Sequence, residues 1–182
     1  MSEIQQRSRV LDDVRSGSRE ALGELYRAHA DAVFALAYRL TGSREDAEDV
    51  LQDVFVGLSH ALASYTERGR FESWLKRVTA RTALMRMRSR RRRREDPIDP
   101  LAESSAVVRQ GDADAASAHV VDRLAMQTAL GRLPQSLRAV FLLREVEGYA
   151  HDEIGDLLGI SARASATRLS RAWSLLRKEL TA

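Results

Sequence analysis

The chain has 182 residues, a length that suits one or two small domains. Its net charge is only +3, so the distribution of charge along the chain is more informative than the total. Few glycines and prolines and a predominance of helix-forming residues predict an all-α protein. The chain lacks cysteine, an apolar signal region and any run of transmembrane length, so we expect a cytoplasmic protein without membrane insertion, thiolate-bound metal or cofactor.

The first predicted helices follow a polar start. Residues 1–20 are polar and contain only a loose apolar set. Apolar residues that recur every three or four positions then predict a helix over Ala21–Leu40, which ends at Thr41-Gly42. Ser43 is a good N-cap for a second helix, predicted over Arg44–Ala63.

The helix Arg44–Ala63 has a broad apolar face and an acidic face. The acidic face surrounds Val56 and consists of Glu45, Glu48, Asp49, Gln52 and Asp53. A solvated surface is the ordinary interpretation of such a set. Val56 favours another interpretation, docking against a basic partner helix, because a solvated face does not need an apolar residue at its centre.

A polar loop and a basic helix come next. The loop Ser64–Arg70 carries one aromatic residue, and the helix predicted over Phe71–Arg88 has Met85 on its core face. A second stripe on this helix, with Trp74 at its border, consists of Arg77, Arg81, Leu84 and Arg88. Cations beside an aromatic ring can hold single-stranded nucleic acid through phosphate contacts and stacking. Trp74 would equally suit the core.

Positive charge is densest at the end of this helix, in Arg90–Arg94 with Arg86 and Arg88 before it. Such a run binds phosphates without reading sequence, and a disordered solubilising tail is the alternative. Charge then reverses, because residues 95–118 hold six acidic residues against Arg109 and include two of the three prolines. We expect this segment to be a flexible acidic linker between two domains, either solvated or lying in a basic channel of a partner.

Residues 119–182 are expected to form a second helical domain. Helices are predicted over Val120–Leu130, from Leu133-Pro134 to Gly148, and over Asp152–Leu158.

A helix-turn-helix is predicted at the end of this domain. Gly159 can take the positive φ that ends the short helix, and Ser161 can cap a longer one. Gly155, without a side chain, allows the two helices to approach closely.

The last helix has two contrasting faces. The face expected to pack inward consists of Ser165, Leu169, Ala172 and Leu176. The opposite face, with Arg168 on its flank, consists of Arg163, Thr167, Arg171, Ser174 and Lys178. Guanidinium and hydroxyl groups suit a DNA groove, although an ordinary solvated basic helix has the same composition.

Together these segments resemble the extracytoplasmic-function (ECF) sigma factors of bacterial RNA polymerase. The resemblance covers nearly the whole chain, with motifs in the family's order and at proper distances: YRLTGSREDAEDVLQDVF, FESWLKRV, LPQSLRAVFLLREVEGY, DEIGDLLGIS and RLSRAWSLLRKEL. It implies a promoter-specificity subunit that binds core RNA polymerase and promoter DNA and catalyses no reaction. It also implies that an anti-sigma factor is a partner, since such proteins commonly hold this family inactive.

The resemblance further implies roles for particular residues. The first domain, residues 1–94, would dock on the clamp helices of the large polymerase subunit through Asp46, Asp49, Gln52, Asp53 and Val56. It would capture the minus-ten element through Tyr65, Arg68, Arg70, Trp74, Lys76, Arg77, Arg81 and Arg88. The second domain would read the minus-thirty-five element through Ser161, Arg163, Ser165, Thr167, Arg168 and Arg171. The linker would thread the RNA path of the polymerase.

The chain departs from the family pattern in places that leave its promoter sequence open. Ala150 stands where the family has an N-cap serine, a loss of about 1 kcal/mol unless Asp152 takes over. The other departures are at Arg81, Met85, Arg163, Ala164, Ala166 and Trp173.

Two other classes of function fit the sequence less well. A stand-alone helix-turn-helix regulator explains the second domain but leaves the acidic face and the acidic linker without a purpose. An enzyme fits least, because the four histidines are scattered and no glycine-rich phosphate loop follows a strand.

Overall fold

The computed structural model describes residues 3–66, 70–94 and 117–181, and side chains within 5–66, 70–90 and 125–181. The chain divides into two compact units, Met1–Arg93 and Arg94–Ala182. All regular secondary structure in the described ranges is helical, which confirms the all-α prediction. The predicted linker lies outside these ranges except for its last two residues, which begin a helix. No helix in the described part of the chain is both long and apolar enough to span a bilayer.

The described part of the first unit consists of α1 (Glu3–Arg15), α2 (Arg19–Thr41), α3 (Arg44–Val56), α4 (Leu58–Leu62) and α5 (Phe71–Arg94). α2 packs along α3, and α1 packs on α2 and α4. The Ser43 hydroxyl accepts the Asp46 N–H, which confirms the predicted cap, and Gly42 ends α2 with a φ of 71°. The fully buried large side chains include Leu11, Leu36, Leu40, Leu58, Leu62 and Phe71.

Three boundaries in this unit differ from the predictions. The loose apolar set at the start forms a helix, because Leu11 and Val14 lie three residues apart on one face and both enter the core. The helix predicted over Arg44–Ala63 is broken at Gly57, because glycine is a poor helix former. The apolar pattern, which continues past Gly57, did not reveal this break. α5 extends past the predicted end at Arg88 to Arg94.

The described part of the second unit consists of α6 (Ser117–Arg132), α7 (Gln135–Phe141), a π-helical segment (Leu142–Val146), α8 (His151–Leu158) and α9 (Ala162–Leu180). α9 packs against α6, α7 and α8, so the last helix organises the unit. Its core is built from Val140, Leu143, Ile154, Ala172 and Leu176. The predicted helix-turn-helix is present as α8 and α9.

The turn between α8 and α9 depends on two glycines and one serine. Gly159 ends α8 with a φ of 67°, and the Ser161 hydroxyl accepts the Ala164 N–H. A Cβ added to Gly155 would lie 2.7 Å from the Ile160 carbonyl oxygen, which confirms that glycine permits the close approach. At the start of α8 the Ala150 N–H donates to the Glu153 carboxylate, which is the half of a capping box that does not need a serine at the N-cap.

We expect Gly155→Ala to lower the stability of the second unit by about 1–3 kcal/mol, because the new methyl group meets backbone atoms that cannot move aside. Gly23→Ala is the control for the change of residue type. In α2 the added Cβ would meet only the flexible end of Arg27, at 3.6 Å, so this variant should be neutral or more stable. Thermal unfolding measures both, and equal effects of the two substitutions would contradict the close approach.

His29 is expected to make the stability of the first unit depend on pH. Its ring lies edge-on to Phe71 with the centroids 5.3 Å apart. Burial lowers the pKa of His29, and the attraction of Glu72 opposes this effect only in part. Since the unfolded chain takes up the proton first as pH falls, protonation favours unfolding.

The free energy of unfolding should therefore decrease as pH falls below about 7, through the ordinary histidine pKa near 6.5. Denaturant unfolding at a series of pH values tests this, with His29→Gln as the comparison. The substituted protein should show a smaller slope between pH 7.5 and 5.5, and an unchanged slope would rule out His29 as the source.

Candidate docking and nucleic-acid interfaces

An apolar surface lies where α2 and α3 meet. Val56 is 74% exposed and Tyr26 is 45% exposed, although both are large apolar side chains. They border an open groove between the two helices, whose apolar lining also includes Leu22, Phe34, Leu51 and Phe55. The Tyr26 and Phe55 rings lie in a T-shaped arrangement with their centroids 4.9 Å apart, so the buried Phe55 supports the exposed Tyr26. Val56 is thus exposed as predicted, and it joins a wider apolar surface.

Acidic residues predicted to face a partner form ion pairs with arginines of α5. Arg86 binds Asp49 and, at 2.9 Å, Asp53, while Arg90 binds Asp46. The hydrogen bond and charge of Asp46 raise the pKa of Arg90. We call these five residues the α3–α5 ion-pair ladder. The predictions treated the acidic face and the arginine run as separate surfaces, and the structure brings them together.

The aromatic residues predicted for the minus-ten element form a cluster at the start of α5. Tyr65 lies 4.8 Å from Trp74 and 5.9 Å from Phe71 between ring centroids, and Trp74 is half-buried. Tyr65 is only 9% exposed, and its carbonyl accepts a hydrogen bond from Arg15. Tyr65, expected to contact the minus-ten element, therefore lies in the core, whereas Trp74 is partly exposed.

The cations predicted for this element lie mostly on the surface. Those exposed are Arg70, Lys76, Arg77, Arg81 and Arg88, while Arg68 lies outside the described residues. Two neighbours were placed on the wrong faces. Leu84, expected in the basic stripe, is buried, and Met85, expected in the core, is exposed. The reason is that α5 contributes Ala80, Ala83 and Leu84 to the core, which rotates the buried stripe away from Met85.

On α9 the predicted reading face is largely exposed. Arg163, Thr167 and Arg171 are on the surface, Arg168 is half-buried, and Ser161 combines exposure with its capping role. Ser165 is fully buried, as its inward-facing position requires, so its expected contact with DNA is wrong. The exposed Arg163 and Arg171 lie in the first half of α9, the part of a recognition helix that normally enters the groove.

Sequence reasoning missed the partner of Ser165. Its hydroxyl lies 2.9 Å from Nδ1 of His151, which joins the first turn of α8 to the buried face of α9. A buried hydroxyl requires a hydrogen-bond partner, so the inward-facing serine was the available signal. The residue that supplied the partner, fourteen positions earlier, could not be identified without the packing of the two helices.

Comparison with known proteins agrees with this arrangement. Residues 25–93 match the Sigma-70 region 2 family, and residues 123–176 match the Sigma-70, region 4 family. The first match covers most of α2 to α5, and the second covers the helix-turn-helix.

Curated relatives are similar over most of the chain. The ECF RNA polymerase sigma factor SigE of Mycolicibacterium smegmatis is 36% identical over 86% of this chain, which spans 60% of the length of SigE. The RNA polymerase sigma factor CarQ of Myxococcus xanthus is 30% identical over 93% of this chain and 95% of CarQ. The ECF sigma factor SigW of Bacillus subtilis is 25% identical over 93% of this chain and 94% of SigW.

Two solved structures have a similar fold. CnrH in complex with the cytosolic domain of CnrY has a TM-score of 0.55 and 25% identity, covering 94% of this chain and 95% of that chain. The sigma factor RpoE of Bartonella quintana, in complex with the anti-sigma factor NepR, has a TM-score of 0.60 and 22% identity, covering 87% and 96%. Given these matches in both compact units and along nearly the full length of CarQ, the chain belongs to the ECF sigma factors of RNA polymerase.

Proposed function

We propose that the protein binds core RNA polymerase and directs initiation at promoters whose minus-ten and minus-thirty-five elements it recognises. One observation carries the proposal: each compact unit presents an exposed basic helix face, on α5 in the first and on α9 in the second. Residues 1–94, 95–118 and 119–182 serve as docking and minus-ten domain, acidic linker and minus-thirty-five domain. The protein acts by binding alone, in the cytoplasm, where RNA polymerase works.

Docking on the polymerase uses Val56 and its surroundings. An exposed valine at the end of an acidic helix, beside an apolar groove, suits an amphipathic partner with basic side chains around an apolar centre. The proposed contacts are Asp46, Asp49, Gln52, Asp53 and Val56, and the proposed partner is the clamp helices of the large subunit. Asp49 and Asp53 remain about half exposed in their pairs with Arg86, so a partner can reach them.

DNA contacts come from both basic helices. On α5, the exposed Arg77 and Arg81 follow the half-buried Trp74 by three and seven residues, a spacing that places them on the same side of the helix and suits phosphate contact together with stacking on an unpaired base. On α9, Arg163 and Arg171 are exposed and Arg168 flanks them, which suits insertion into a major groove. The linker between the units is proposed to follow the RNA path of the polymerase.

An anti-sigma factor is a further proposed partner. The similar sigma factor RpoE was solved with the anti-sigma factor NepR. The exposed apolar groove between α2 and α3 is a surface that an inhibitory protein would have reason to cover.

A run-off transcription assay separates this function from that of a stand-alone regulator. The purified protein should produce discrete transcripts from genomic fragments when added to sigma-free core polymerase. A regulator that does not dock on polymerase would bind some of the same fragments and yield no discrete transcript, which would reject the proposal.

Val56→Glu should weaken binding to core polymerase at least tenfold, because it places a carboxylate at the apolar centre of the docking surface. Gln6→Glu, on the exposed side of α1, adds the same charge away from the surface and should bind as the parent protein does. Titration of core polymerase with labelled protein measures both. Equal affinities for the two variants would exclude Val56 from the interface.

Arg163→Ala or Arg168→Ala should weaken binding to the upstream element by about 1–3 kcal/mol where the side chain contacts a base edge. Arg177→Ala removes the same charge from the last turns of α9, where the guanidinium donates to the Trp173 carbonyl, and should have a smaller effect. Footprinting of the holoenzyme on its own promoter gives the affinity. Unchanged upstream protection in both test variants would contradict the assignment.

A further inference from the structure

The α3–α5 ion-pair ladder joins two surfaces that serve different partners in the proposed function. Asp46, Asp49 and Asp53 recur at intervals of three and four residues, so they follow one face of α3. Arg86 and Arg90 are four residues apart on one face of α5. Arg86 lies between two carboxylates, binding Asp49 through one nitrogen and Asp53 through the other.

The ladder acts where apolar packing has ended. α5 contributes Leu75, Ala80 and Leu84 to the core, but none of its described residues from Met85 to Arg90 is buried. The ion pairs of Arg86 and Arg90 with α3 therefore help to hold this part of the helix.

The two arginines differ in how readily they can change partners. Arg90 is bound to Asp46, whose side chain is only 14% exposed, so this pair is the firmer attachment. Arg86 is one-third exposed and binds two carboxylates that are 40% and 52% exposed. Exposed ion pairs add little to stability and are screened by salt, so another charged group can displace them.

We propose that Arg86 is a shared cation that couples the docking surface to nucleic-acid binding, an inference that rests on the proposed function. In the free protein Arg86 neutralises Asp49 and Asp53 and is withheld from phosphates. When cationic side chains of a docking partner bind these carboxylates, Arg86 is released and its guanidinium becomes available to a phosphate of the DNA backbone. Coupling of this kind is reciprocal, so phosphate that occupies Arg86 also strengthens docking.

The first test uses the free protein and a mixed-sequence single-stranded DNA oligonucleotide at low salt. Asp49→Asn with Asp53→Asn removes the partners of Arg86 and should tighten binding several-fold. The control, Glu24→Gln on α2 with Glu48→Gln on α3, makes the same change in charge at exposed residues outside the ladder, where Glu48 pairs with Arg44. An equal gain in both double variants would mean that only net charge matters and would overturn the proposal.

A mutant cycle then identifies Arg86 as the released group. Arg86→Gln should change DNA affinity little in the parent protein and should abolish most of the gain in the Asp49→Asn, Asp53→Asn protein. Arg81→Gln, at an exposed position five residues earlier on the same helix, should lower affinity by the same factor in both backgrounds. Additive behaviour of Arg86→Gln would contradict the proposal. Should the double variant lose helical content, Asp53→Asn alone, at the most exposed carboxylate, gives the same comparison.

Binding to core polymerase provides a readout that a merely structural role would not produce. Arg86→Gln removes the internal competitor for Asp49 and Asp53, so it should tighten docking. Weakened docking would show that Arg86 only supports the surface. The DNA assays contain no polymerase, so failure of the proposed function, seen as absence of docking by the parent protein, is distinguishable from failure of the ladder.

Discussion

The first unit depends on how α5 is fixed along its length. Its first half is held by apolar burial, from Phe71 to Leu84, and that burial places the exposed cations on the opposite side. Beyond Leu84, none of the described side chains from Met85 to Arg90 is buried, and Arg86 and Arg90 form ion pairs with α3. Apolar packing therefore holds the first part of α5 firmly, whereas the partly exposed ion pairs hold its later part more weakly.

The second unit depends on contacts that fix the angle between α8 and α9. Gly155 allows the backbone at the start of α9 to approach α8, and Gly159 reverses the chain between them. The His151–Ser165 hydrogen bond adds a polar contact on the buried side of the same pair. Held at these three points, α9 presents its outward arginines in one orientation, which the proposed reading of bases requires.

The sequence predicted those structural features that depend on residues close together in the chain. The cap at Ser43, the turn at Gly159 and the closeness at Gly155 follow from local conformation and could be predicted. Leu84 and Met85 were assigned to the wrong faces of α5 because small residues such as Ala80 and Ala83 can enter a core as readily as larger ones. The ladder and the His151–Ser165 pair join residues far apart in the chain, so periodicity in one segment could not reveal them.

In the proposed complex, one chain contacts polymerase through α3 and upstream DNA through α9 at the same time. Photocrosslinking from reactive residues placed at Val56 or Thr167 tests it directly on a promoter-bound holoenzyme. We expect the first position to crosslink to the large polymerase subunit and the second to the minus-thirty-five DNA. Crosslinks from position 56 to DNA alone, or from position 167 to neither strand, would contradict the account.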